Sequence, residues 1–310
     1  LTMAEQEKTA REQHGATERV RRLREESLNT QPRIYMERAV LETEAYEKYE
    51  GTVSVPELRA LTLRHFFENK FISIHKGELI VGEKGDGPQS APTFPELCCH
   101  TLEDMKIMDQ RELIRFAVSE EDLRIQKEKI IPYWEKRSIR HKILSSMSEE
   151  WKAAYECGIF TEFMEQRGPG HTVGSNKIYQ KGLSDYQEDI RCAMDSLDFI
   201  HDREALHRKE ELSAMYIACE AVMILGRRYE ELARKMAAEE TDPQWKADLL
   251  TIAENCAVVP AHKPQTFHQA LQMYWFVHLA VTSELNPWDS YSPGRLDQHV
   301  ICLLYTSDAA

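Results

Sequence analysis

The chain reads as a predominantly α-helical piece of a larger α/β assembly. Three observations predict this. Apolar residues recur at helical spacing over most of the 310 residues. Stretches with strand character are few and short. Two helical segments, Met215–Leu225 within 211–238 and a second over 266–281, are apolar on nearly every side, Glu220 apart. Such helices need partners all round, and the strand segments are too few to complete a sheet.

Composition narrows the class. Hydrophobic residues make up 42% of the chain, enough for a core, and the 29% charged fraction is that of a globular protein. The balance of 39 basic to 52 acidic residues gives a net charge of -13. This argues against nucleic-acid binding, which needs a basic face. No apolar run approaches the roughly 18 residues of a membrane span, and the charged N-terminal stretch has no signal-peptide core. A cytoplasmic protein is expected. The cysteines at 98, 99, 157, 192, 219, 256 and 302 show no disulfide-framework spacing. Cys98-Cys99-His100 lacks the gap that lets two sulfurs grip one tetrahedral ion, so buried thiols are expected there and no metal.

In chain order, residues 1–30 alternate Arg and Glu and predict a solvated helix with a loose start. Pro32 starts a helix that runs through Met36, Val40, Ala45 and Tyr49 to Gly51. Ser54-Val55-Pro56-Glu57 is a capping box with Pro in the first turn, which predicts a helix to about Asn69. Leu79-Ile80-Val81, between Gly77 and Gly82, predicts a buried strand, with a glycine-rich turn over 82–87. That turn lacks the spacing of a P-loop or a dinucleotide fingerprint. Thr93 and Glu96 are read as the cap of a helix carrying the cysteine pair. Thr101, Ser119 and Ser148 are N-cap candidates in a helical stretch to Ala154, and Pro132 opens a helix of its own. Residues 182–210 are amphipathic. Asp242-Pro243 ends the long helix, and shorter helices cover 246–256 and 266–281.

Two loops stand out. Residues 284–298 gather Glu284, Asn286, Trp288, Asp289, Ser290, Ser292, Arg295, Asp297 and Gln298, and read equally as a pocket lining or as a solvated turn. Residues 168–174 place His171 among glycines, which permit close backbone approach. If the loops meet, Asp289 and His171 form a carboxylate–imidazole pair. Each residue alone has a bland reading: Phe163 as core, His171 as a hydrogen-bonded structural imidazole, Asp289 as a cap.

These residues resemble a known family. YWFVHLAV, E-L-N and S-P-G-R-L-D-Q, within 274–298, are similar to the N-terminal half of the glycyl radical enzymes, the pyruvate formate-lyase-like superfamily. GELIVGEKG at 77–85 resembles an early barrel strand and turn of that family. PTFPELCCH at 92–100, FTEFMEQRGPGHTVG at 160–174 and VVPAHKPQTFHQALQMYWFVH at 258–278 resemble most the members that dehydrate 4-hydroxyproline. The likeness covers residues 18–300.

The resemblance implies a ten-stranded α/β barrel wrapped in helices, with this chain as its N-terminal, mostly helical part. Later strands would cover the all-apolar helices. It also implies a radical dehydration of trans-4-hydroxy-L-proline to pyrroline-5-carboxylate. A glycyl radical, installed by a radical SAM activating enzyme, makes a cysteine thiyl that takes hydrogen from the carbon beside the ring nitrogen, and the hydroxyl leaves as water. A homodimer is implied for the full-length protein. Three site residues carry over. His171 matches the family's pocket histidine, and hydroxide, a poor leaving group, needs a proton donor. Asp289 matches the pocket aspartate that faces the cationic amine. Phe163 matches an aromatic wall that excludes water. Arg295 and Asp297 are read as structural.

No cysteine here stands in the family's Gly-Cys-Val-Glu context, and no Arg-Val-x-Gly-Tyr radical loop occurs. The chain alone is therefore expected to be inactive and to bind no cofactor. Residues 301–310 depart from the family pattern and read as a non-native tail, and the start at Leu1 reads as a frame cut from a longer contig. Two other readings stay open: a glycyl radical lyase for a diol, choline or an aryl acid, and a helical scaffold without chemistry. The isolated chain is expected to fold poorly, because its apolar helices expose large patches.

Overall fold

The computed structural model describes residues 16–159, 174–285 and 295–300. Local capping sets many of its boundaries. Helix α1 (Glu18–Asn29) starts where the Thr17 side chain accepts from the Val20 amide. None of its residues is buried, yet it is not simply solvated. Arg19 pairs with Asp248 at 2.7 Å, and Arg22 donates to the Lys76 carbonyl at 2.6 Å.

The helix expected from Pro32 begins later. Arg33–Tyr35 form strand β1, and helix α2 runs over Glu37–Tyr49. The Ile34 amide donates to Ala117 O at 2.9 Å, and the Ala117 amide donates to Pro32 O at 2.8 Å. On its other side β1 pairs in parallel with β2 (Ser90–Pro92), with Ile34 opposite Ala91. Pro32 suits a first helical turn as well as an extended chain, so the local signal did not discriminate and distant strand partners decided. Gly51 closes α2 with φ +76°. Helix α3 (Val55–Asn69) follows, with the predicted reciprocal capping box between Ser54 and Glu57.

Residues 79–81 are not a strand. The segment is extended, but its backbone is satisfied by side chains of a helix far along the chain, α12 (Phe267–Glu284). The Val81 amide donates to Gln272 Oε1 and the Gln272 Nε2 amide donates to Val81 O, both at 2.8 Å. Trp275 Nε1 donates to Gly82 O at 2.7 Å, and His268 Nε2 lies 2.6 Å from Leu79 O. A primary amide presents the same donor–acceptor pair as a neighbouring strand, so the backbone needs no ladder. Only Val81 of the three is buried.

The same irregular stretch is pegged by Lys70, whose side chain is fully buried and donates to Phe71 O at 3.1 Å and Glu83 O at 2.8 Å. Burial pulls its pKa down to about 8. An unfolded lysine titrates near 10.4, so between pH 8 and 10.4 the unfolded chain holds the extra proton and stability rises with pH. The gain across that window should be roughly 2–3 kcal/mol and should vanish in Lys70→Met. Urea unfolding of both proteins at pH 7.5 and 10 tests this; parallel pH dependence would refute it.

No helix carries the cysteine pair. Residues 95–97 are a single turn, in which the Leu97 and Cys98 amides both donate to Phe94 O at 3.0 Å. Glu96 does not cap; it is drawn into a buried pair with Arg38. Beyond it the predicted caps hold. Thr101 with Asp104 opens α4 (Leu102–Gln110), and Ser119 with Asp122 opens α5 (Glu120–Ile125). A π-turn over Gln126–Ile130 leads to α6 (Ile131–Trp134), with Pro132 in its first turn. Helices α7 (Ile139–Ser146) and α8 (Glu149–Glu156) are capped by Ser138 and Ser148. A 3₁₀ helix (Ser175–Tyr179), α9 (Leu183–Asp195), α10 (Ala205–Glu239), α11 (Pro243–Val258), α12 and α13 (Leu296–His299) complete the described residues.

The main core forms where α10 packs against α3, α9, α11 and α12. Phe67, Leu225, Tyr229, Leu249, Ile252 and Phe276 are almost fully buried there. A second cluster joins Ile34, Met36, Met105, Ile130 and Trp134, with the Trp134 indole donating to Thr43 Oγ1 at 2.8 Å. The centre of α10 is thus partnered largely by other helices. Its open side is an apolar cleft of about 470 Å³, lined by Leu63, Ala214, Met215, Ala218, Val222 and Val281. Met215 is 53% exposed.

At Gly226 the 259–260 segment lies close against α10. A Cβ there would lie 2.6 Å from Pro260 Cδ and 3.2 Å from Val259 O. Helix propensity favours Gly226→Ala by about 1 kcal/mol. Overpacking against a ring and a backbone oxygen costs about 1–3 kcal/mol. The clash wins, so Gly226→Ala should lower stability by about 1 kcal/mol, read as a lower urea midpoint. A raised midpoint would show that α10 can shift freely here.

Candidate active site

Phe163, His171 and Asp289 lie outside the described residues, as do Asn286, Trp288, Ser290 and Ser292. The structure places the ends from which their segments depart. One leaves after Ile159, beyond α8, and returns at Gly174, whose φ of +66° turns the chain into the 3₁₀ helix. The other leaves after Leu285, at the end of α12, and returns at Arg295 before α13.

The two returning ends meet. The Tyr179 and His299 rings are 6.0 Å apart. Ile178 is buried against Val259 and Met273, with Tyr274 and Val277 packed around them. A Cβ on Gly174 would meet Ile178 Cγ2 at 2.4 Å, so the turn into this packing requires glycine. Along the same helix, Tyr274 Oη lies 3.3 Å from His278 Nδ1, and burial together with the Lys84 charge holds His278 below the ordinary imidazole range. The Arg295 carbonyl accepts from the Gln298 and His299 amides at 3.0 and 2.9 Å.

The departing end of α12 is held by charge. Arg38, on the buried face of α2, donates from Nε to Ser283 O at 2.7 Å. Its Nη2 donates to Glu96 Oε1 at 2.8 Å, and its Nη1 to Glu96 Oε2 and Thr93 O, each at 3.2 Å. The guanidinium stacks on Phe94 with its carbon 3.8 Å from the ring centroid, and Glu42 lies 3.4 Å away. Burial opposes the Arg38 charge, but the Glu96 and Glu42 carboxylates outweigh it and the net shift is upward. Next to this group, Arg59 Nε donates to Glu284 Oε1 at 2.6 Å. The sequence contains a signal for it: Arg38 and Glu42 are four residues apart on a buried helix face shared with Ala39, Leu41, Thr43 and Ala45.

The Cys98-Cys99 pair sits at the edge of this region. Arg140 Nη1 lies 3.2 Å from Cys98 Sγ, and Arg140 also donates to the Tyr155 hydroxyl. Burial pushes the Cys99 thiol up to about 12. Among the described residues no group of three or more His, Cys, Asp or Glu side chains is arranged to hold a metal ion. Among them, too, no helix is long and apolar enough to cross a membrane.

The chain is 60% identical over 286 residues to trans-4-hydroxy-L-proline dehydratase of Clostridioides difficile, a match covering 92% of this chain and 36% of that protein. The fold matches the crystal structure of hydroxyproline dehydratase from the same organism with trans-4-hydroxy-L-proline bound. The TM-score is 0.90 at 59% identity, over 94% of this chain and 37% of that one. The B12-independent glycerol dehydratase of Clostridium butyricum, in its glycerol-bound form, matches with a TM-score of 0.88 at 28% identity, over 95% and 37% of the two chains. The chain thus spans about 36% of the length of the curated relative it matches at 60% identity. A family model described as pyruvate formate lyase-like matches residues 13–308, and the chain belongs to that family.

Proposed function

We propose that this chain forms part of a glycyl radical lyase that dehydrates trans-4-hydroxy-L-proline to pyrroline-5-carboxylate. The observation that carries the reading is the 59% identity and TM-score of 0.90 to a dehydratase with that substrate bound. The structural match to the glycerol dehydratase has 28% identity. The fold is shared across such lyases, so the substrate assignment rests on the higher identity and on the three pocket residues.

Asp289 binds the ring ammonium, where a charge-assisted hydrogen bond fixes the substrate's orientation. His171 lies on the other loop and delivers a proton to the C4 hydroxyl oxygen as the C–O bond breaks, so that water rather than hydroxide leaves. Phe163 forms an apolar wall that keeps bulk water from the site. The proximity of Tyr179 and His299, which follow the two loops, supports this pairing. The glycyl radical supplies the hydrogen-atom chemistry when it is present elsewhere in the protein. A radical SAM activating enzyme and a second copy of the complete polypeptide are the proposed partners.

The test is turnover of the complete polypeptide after activation by its radical SAM partner. Pyrroline-5-carboxylate should form from trans-4-hydroxy-L-proline. Loss of water from 1,2-propanediol with none from hydroxyproline would overturn the proposal in favour of a diol lyase.

A further inference from the structure

We propose that Arg38 is a positioning residue for the proposed substrate pocket, clamping the last turn of α12, the helix that precedes Asp289 in the sequence. The inference rests on the reading of Asp289 as the amine partner. Its observations are independent of that reading.

Ser283 O is among the last four carbonyls of α12, which have no partner within the helix. Arg38 Nε fills that vacancy at 2.7 Å and brings a cation to the negative end of the helix dipole. One residue on, Glu284 sits where the dipole disfavours an anion, and Arg59 on α3 compensates it. The two residues nearest the exit of α12 are therefore each held by a guanidinium from a different helix. Arg38 is itself enclosed and fully engaged. Its side chain is 4% exposed, its other nitrogens are committed to Glu96 and Thr93, and its plane lies on Phe94. Among the described residues it is the one arginine that is fully buried. A core ion pair needs only the carboxylates. The bond to Ser283 O adds a fixed link from the 93–96 turn through α2 to the end of α12.

Arg38→Lys separates clamping from charge, because lysine keeps the cation but cannot hold Glu96 bidentately and Ser283 O together. In the complete, activated polypeptide, KM for hydroxyproline should rise roughly tenfold, with kcat within about twofold of the parent. Amide hydrogen exchange over 284–295 should accelerate by roughly tenfold while exchange in α11 stays unchanged. Glu284→Gln, which releases the neighbouring clamp at a less buried site, should show the same local pattern and serves if the lysine variant does not fold. Unchanged exchange over 284–295 in a folded variant overturns the inference, as does acceleration spread evenly into α11. If the parent fails to dehydrate hydroxyproline while exchange still rises selectively at 284–295, the substrate assignment falls and the clamp stands.

Discussion

Replacing His171 by alanine in the complete, activated polypeptide should lower kcat for hydroxyproline dehydration by about 10²–10⁴-fold, the usual contribution of a general acid. The glycyl radical signal should remain at parent intensity, because the proposed proton donor takes no part in forming it. The reason lies in the leaving group. An unassisted C4 hydroxyl departs as hydroxide, and the apolar wall proposed for Phe163 would leave no bulk water to protonate it. A general acid works only while protonated. The parent's kcat should therefore fall as pH rises through the imidazole pKa, and that alkaline limb should be missing in His171→Ala. Asp289→Asn should behave differently. Losing the proposed partner of the ring ammonium should weaken binding, so KM should rise more steeply than kcat falls. Single-turnover and steady-state measurements on the two variants separate these signatures. A His171→Ala enzyme with more than about a tenth of parental kcat would remove the histidine from the proton-donor role.

Arg38→Met should destabilise the protein by about 3–5 kcal/mol, the cost of breaking a buried pair by deleting one partner. Methionine fills much of the volume, so the loss is electrostatic. Glu96 stays 5% exposed without the Arg38 guanidinium, and Glu42 loses that neighbour as well. The Ser283 and Thr93 carbonyls lose a donor each. A buried carboxylate that has lost the Arg38 charge takes up a proton more readily, so the gap between variant and parent should narrow as pH falls. Arg38→Met combined with Glu96→Gln should recover part of the loss, since the charge left behind is then removed. Urea midpoints at pH 5 and 8 for the three proteins measure this. A single variant within about 1 kcal/mol of the parent would show that water already reaches the cluster.

Much of the helical frame is legible in the sequence because capping is local. Ser54 with Glu57, Thr101 with Asp104, and Ser119 with Asp122 each close their bonds within three residues. Thr266 and Asp242 open their helices in the same way. The errors share the opposite property. Leu79-Ile80-Val81 looks like a strand until Gln272, 191 residues from Val81, supplies the partner that a strand would have had. Thr93 and Glu96 look like a cap until Arg38, 58 residues before Glu96, claims the carboxylate. Pro32 looks like a helix start until Ala117 pairs beside it. The candidate pocket residues come only from resemblance to a family, since a lone His or Asp in a loop carries no unique pattern of its own.

By itself the sequence determined the family, the helical character and most helix starts, because these depend on period, cap and motif within a few residues. The tertiary structure alone decided which carboxylate meets Arg38, which amide replaces a strand for Val81, and how the flanks of the two loops meet through Tyr179 and His299. Those outcomes turn on side chains far apart in the chain, where packing rather than local preference chooses the partner.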